Sequence, residues 1–145
     1  MGDLSKDLNS KFANNRLKAM INIMYTANWL RNHQNTFFKP YKISPQQFNI
    51  LRILKGADSP IKVQVVKDRM IERAPNLTRL TDKLLDKGLI IRLPCPDDRR
   101  VVYLEITKQG MLLLDDISKT LKDDWLDNLT EAEALQLTNL LDKIR

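Results

Sequence analysis

The chain has 145 residues and a mass of 16.9 kDa, enough for one domain or a small domain with helical extensions, and too little for two enzyme domains. Apolar residues make up 43% of it and charged residues 29%, the balance of a protein with a buried core rather than a disordered chain. Twenty-four Lys and Arg against 18 Asp and Glu leave a net charge of +6, divided as +6, +4 and −4 over residues 1–60, 61–110 and 111–145. A polyanionic partner is expected, and the C-terminal part is expected to stay clear of it.

Cys95 is the single cysteine, so no disulfide forms within the chain and no cysteine-based metal site is completed by it. A reducing, cytoplasmic setting fits. No unbroken apolar run exceeds four residues, and about 20 are needed to cross a bilayer, so no membrane partner is expected. The N-terminal stretch MGDLSKDLNSKF lacks the apolar run of a secretory signal, and Lys6 stands where a myristoylation motif wants Ser or Thr.

In chain order, Leu17, Met20, Ile21, Met24, Ala27 and Leu30 recur at helical spacing and predict a long first helix from about Ser5 to Phe38. Pro40 breaks it. Ser44-Pro45-Gln46-Gln47 reads as a capping box with proline at the first helical position, opening a second helix that Gly56 is expected to end. Val63, Val66 and Met70 mark a third, shorter helix over Ile61 to Met70. A fourth begins near Pro75, with Leu77, Leu80, Leu84 and Leu85 as its inner stripe and Gly88 as its left-handed stop. The two short helices, separated only by Ile71 to Ala74, form a helix-turn-helix.

The period then changes. Leu89 to Leu93 and Val101 to Ile106 suit two strands, with Pro94 to Asp98 as the turn of a hairpin. Helix resumes near Thr107 or Lys108, where Leu113, Leu114, Ile117, Leu121, Trp125 and Leu129 share a face. Thr130 with Glu133 is a second capping box, opening a last helix striped by Leu137, Leu140, Leu141 and Ile144. The expected fold is mainly α with a small β-hairpin wing (α+β): a winged helix-turn-helix at 44–107, an N-terminal dimerisation helix at 1–43 and C-terminal dimerisation helices at 108–145. Trp29, Phe37, Trp125 and the C-terminal leucines would stay partly exposed on a monomer, which favours a homodimer.

The fourth helix presents Asn76, Thr78, Arg79, Asp82 and Lys83 opposite its leucines. From a major groove, Arg79 offers guanine two donors, Asn76 pairs with adenine, and Thr78 meets a phosphate or a thymine methyl. At the hairpin tip, Asp98 is expected to hold an arginine side chain while Arg99 or Arg100 reaches the electronegative minor groove. The candidate DNA-binding set is Pro75, Asn76, Thr78, Arg79, Lys83, Asp98, Arg99 and Arg100.

The segment NLTRLTDKLLDKGLIIRLPCPDDRRVVYLEIT, Asn76 to Thr107, followed by Lys108-Gln109-Gly110, resembles the MarR family of bacterial transcription regulators. The resemblance lies in Thr78-Arg79-Leu80 with Asp82, and in Asp98-Arg99-Arg100 followed by five residues and Ile106-Thr107, where the family has Leu-Thr. It implies a homodimer whose two recognition helices enter successive major grooves of a palindromic operator in double-stranded DNA. It also implies a repressor released by a small aromatic or anionic effector. Thr78 and Arg79 would carry over as groove and phosphate contacts, Asp98 as the wing orienter and Arg100 as the minor-groove finger. Lys62, where a hydroxyl residue commonly caps the third helix, and Ala74-Pro75-Asn76, in place of a Ser/Thr-rich entry, depart from the pattern and bear on the operator sequence.

The alternative readings are a winged-helix module for protein or RNA, and a thiol-based redox-sensing regulator acting through Cys95, which sits near Arg92, Arg99 and Arg100. His33 reads as a surface or interface residue, and Asp115-Asp116 and Asp123-Asp124-Asp127 read as solvated helix faces. Four scattered glycines and no Ser-His or Cys-His arrangement argue against catalysis, and no cofactor or metal is expected.

Overall fold

A computed structural model describes residues 2–72, 76–121 and 124–145. Its elements are α1 (Leu4–Asp7), α2 (Asn15–Phe38), a 3-10 turn (Lys39–Tyr41), α3 (Pro45–Ala57), β1 (Ile61–Lys62), α4 (Val63–Arg69), α5 (Leu77–Asp86), β2 (Ile90–Pro94), β3 (Val102–Ile106), α6 (Lys108–Thr120), a second 3-10 turn (Asp124–Leu126) and α7 (Glu131–Asp142). The fold is mainly helical, with one small antiparallel sheet in the order β1-β3-β2. Among the described residues no helix is long and apolar enough to cross a membrane.

Local signals placed most elements. The Ser44 side chain accepts from Gln47 N, and the Gln47 side chain accepts from Ser44 N at 2.9 Å, closing the capping box that starts α3. Thr130 and Glu133 do the same for α7. Gly88 takes φ +67°, the left-handed stop expected after α5.

Four expectations are corrected. The first helix is not continuous: Asn9 adopts φ +47°, and the chain restarts at α2, where Asn14 Oδ1 accepts from Leu17 N. Asparagine side chains that bond the local backbone compete with an unbroken helix there. Gly56 lies inside α3, which runs to Ala57 and closes at Asp58 with φ +53°. Ile61–Lys62 is strand rather than helix. Ile61 pairs with Leu104 and Lys62 with Tyr103, so the expected two-stranded hairpin is a three-stranded sheet. α6 stops at Thr120 because Leu121 turns extended, and Trp125 folds back on a short turn instead of extending the helix to Leu129.

The core lies where α3, α4, α5, β3 and α6 converge. Ile50, Leu51, Val66, Leu84, Ile90, Leu104, Leu114 and Ile117 are wholly or almost wholly buried there, each worth about 1.5–3 kcal/mol of transfer free energy. Gly110 lets α6 approach the sheet closely: a Cβ on it would lie 2.3 Å from the Leu89 carbonyl oxygen and 2.7 Å from Ile106 Cγ1. The outer helices are different. Met24 on α2 is 67% exposed and Leu140 on α7 54%, and α7 buries no residue at all.

Candidate nucleic-acid interface

α5 is amphipathic. Leu77, Leu80, Thr81 and Leu84 are buried, and Asn76, Thr78, Arg79 and Lys83 are exposed on the other side. Asn76 occupies the N-cap without a side-chain hydrogen bond to the helix, and it is exposed. The buried Thr81 hydroxyl lies 3.1 Å from the Leu77 carbonyl oxygen and 2.9 Å from that of Thr78, which satisfies it inside the first turns of the helix. Pro75 lies outside the described residues.

The wing is β2, the tip from Cys95 to Val101, and β3, in a register that pairs Ile90 with Ile106 and Pro94 with Val102. Asp98 works differently from expectation. Its Oδ1 accepts from the Arg100 backbone N–H at 2.9 Å, and its carbonyl accepts from Val101 N at 3.0 Å. The carboxylate therefore shapes the backbone of the tip, an Asx-type turn, rather than gripping a guanidinium. Arg99 and Arg100 are both exposed, with no ion pair among the described residues. Cys95 is half-buried, and its backbone N–H closes the tip onto the Val101 carbonyl at 3.1 Å.

One residue that joins the two parts was missed as a site residue. Arg92, on β2, donates from Nη2 to Asp82 Oδ1 at 2.6 Å and to Thr81 Oγ1 at 3.2 Å. This charge-assisted pair ties the wing strand to the middle of α5. The signal in the sequence was a lone arginine inside the apolar run Leu89 to Leu93, followed by no acid on its own strand. The Lys62 departure also has a structural counterpart, since α4 starts at an N-cap with no side-chain hydrogen bond.

Away from this face, a cavity of about 400 Å³ opens between α2, α3, the segment after α4 and the segment after α6. Phe38, Phe48, Met70 and Trp125 give it apolar walls, and Arg52 lies 6.0 Å over the Phe48 ring. Glu72 stands on its rim, bonded to Gln46 at 3.1 Å and paired with Arg31 at 3.2 Å. Trp125 packs edge-on against Phe37, with centroids 5.9 Å apart, and stays partly exposed. His33 packs at a tilt against Trp29, with ring centroids 4.1 Å apart, and does not line this cavity.

Comparison with known proteins gives one consistent answer. The MarR family model matches residues 43–102. The HTH-type transcriptional regulator MhqR of Bacillus subtilis is 31% identical over 133 residues, which span 88% of this chain and 90% of that protein. A cysteine-to-serine mutant of MarR from E. coli, solved in complex with operator DNA, superposes with a TM-score of 0.74 at 26% identity, covering 99% of both chains. NadR in complex with 4-hydroxyphenylacetate shares the fold, with a TM-score of 0.66 at 24% identity over 93% of this chain and 94% of that one.

Proposed function

The chain belongs to the MarR family of transcriptional regulators, a family without enzymatic activity, and on that premise we propose that it binds a palindromic operator in double-stranded DNA as a homodimer. The observation that carries this reading is an exposed polar face on α5 together with two exposed arginines at the wing tip, on a wing whose Arg92 contacts Asp82 of the same helix. Arg79 and Asn76 read base edges in the major groove, with Thr78 and Lys83 beside the phosphates. Arg99 and Arg100 approach the adjacent minor groove on the tip that Asp98 shapes. The binding of operator DNA by the E. coli relative supports the same assignment.

Residues 44–107 act as the DNA-binding lobe, and 1–43 and 108–145 supply the dimer helices. The exposed apolar side chains of Met20, Met24 and Trp29 on α2, of Leu137 and Leu140 on α7 and of Ile144 just beyond it support a second copy as their cover. Two copies place two recognition helices at a fixed spacing, which duplex DNA with two half-sites rewards.

The protein acts as a repressor, and a small aromatic anion releases it from DNA. The cavity beside the helix-turn-helix is of a size suited to such a ligand, with aromatic walls and the Arg52 guanidinium for a carboxylate. The experiment is a gel-shift titration of the duplex upstream of the gene against a scrambled duplex, repeated with aromatic carboxylates. The reading expects at least about a thousandfold preference for the first duplex. It expects release by one of the carboxylates, and loss of that release, with DNA binding retained, in Arg52→Ala. Equal affinity for both duplexes overturns the regulator reading.

A further inference from the structure

Arg79 and Asp82 stand three residues apart on α5, a spacing at which helical side chains are neighbours and oppositely charged ones pair. Left to themselves, they would satisfy each other across one turn, and the guanidinium meant for a base edge would be spent. That pairing is absent among the described residues. Asp82 is taken by Arg92 from the wing at 2.6 Å, while Arg79 is exposed and has no ion pair among the described residues.

We propose that Arg92 is a specificity-determining positioning residue: by occupying Asp82 it keeps Arg79 free to read DNA. The inference rests on the reading of α5 as the recognition helix. Arg92 is suited to hold an acid rather than to reach DNA itself, because Nη2 is anchored on two sides, by the Asp82 carboxylate and by the hydroxyl of the buried Thr81. Arg92 also neutralises an acid that would otherwise face the phosphates beside Lys83. The planar guanidinium matters here, since one group must meet a carboxylate and a hydroxyl together.

A competing account makes Arg92 a mechanical brace that only fixes the angle of the wing. The two accounts disagree about Asp82. If Arg92 is a brace, removing Asp82 breaks the same contact, and a chain lacking both residues is no better than one lacking Arg92. If Arg92 shields Arg79, an Arg92 variant suffers because a bare Asp82 captures Arg79, and removing that acid restores recognition.

The test is fluorescence anisotropy on the full chain with the palindromic upstream duplex and a duplex of scrambled half-sites. It uses wild type, Arg79→Ala, Arg92→Met, Asp82→Asn and Arg92→Met/Asp82→Asn, all below the lowest melting temperature of the set. Arg79→Ala and Arg92→Met are each expected to lose about tenfold or more of the discrimination between the two duplexes, as a lost bidentate base contact does. Asp82→Asn and the double variant are expected within about threefold of wild type. A double variant as indiscriminate as Arg92→Met overturns the proposal, as does full discrimination in Arg79→Ala. Wild type that shows no preference overturns the recognition reading itself, and that failure is visible before any substitution is made.

Discussion

Gln47 Nε2 donates to the Leu80 carbonyl at 3.3 Å, so the residue that closes the cap of α3 also reaches the middle of α5. It is one of two buried polar residues among those described, and both of its amide ends are bonded. The cap that starts one helix thereby sets the depth at which the other sits. Gln47→Ala is expected to lower stability by about 1–3 kcal/mol, through loss of the capping box and of a buried hydrogen bond. Chemical denaturation would measure it. An unchanged midpoint would mean that neither bond matters.

Two glycines should respond in opposite directions. Gly110→Ala forces a methyl group against the Leu89 carbonyl and is expected to cost about 3 kcal/mol. Gly56 lies within α3 with nothing inside 4 Å of an added Cβ, so Gly56→Ala is expected to raise stability by about 0.5–1 kcal/mol. Paired thermal melts decide the matter, and a destabilised Gly56→Ala would mean that the helix ends earlier than Ala57.

At the wing, Arg100→Ala is expected to weaken operator and random duplex alike and to reduce the salt dependence of binding by about one ion. Asp98→Ala removes the acceptor of the Arg100 N–H and should produce a milder version of the same loss. Equal salt slopes for wild type and Arg100→Ala would remove this arginine from the phosphate-facing surface.

Glu133 gives the acid response of α7 a sign. The backbone and side chain of Thr130 hold its carboxyl below the usual value of 4.5. A carboxyl lowered on folding contributes stability above its unfolded value and loses it as the pH falls through the lowered folded one. Helix content followed by circular dichroism below pH 4.5 should therefore fall in wild type, and less steeply in Glu133→Gln. Parallel acid curves for the two proteins would contradict the capping role.

What could be read from the sequence was local in origin. The Ser44 and Thr130 caps, the leucine stripe of α5 and the stop at Gly88 each depend on residues within one or two turns, and each is found where the spacing placed it. β1 was not legible, because two residues, Ile61 and Lys62, become strand only by pairing with Leu104 and Tyr103, over 40 positions later. The break at Leu121 was hidden for a related reason: an apolar stripe continues through it in sequence, but Trp125 finds Phe37 instead. The exposed arginines and polar side chains of the candidate interface were visible as residue types. The Arg92 contact that organises them was not, since it spans a turn, a strand and a helix.

The central claim is that two copies of α5 and its wing address two half-sites of one duplex. Hydroxyl-radical and methylation footprinting on the DNA upstream of the gene tests it most directly. The account predicts two protected major-groove segments about 10 base pairs, or a multiple of that, from centre to centre within a palindrome, each flanked by minor-groove protection that Arg100→Ala removes. Protection that is uniform along the duplex, or a single unpaired site untouched by Arg100→Ala, would contradict it.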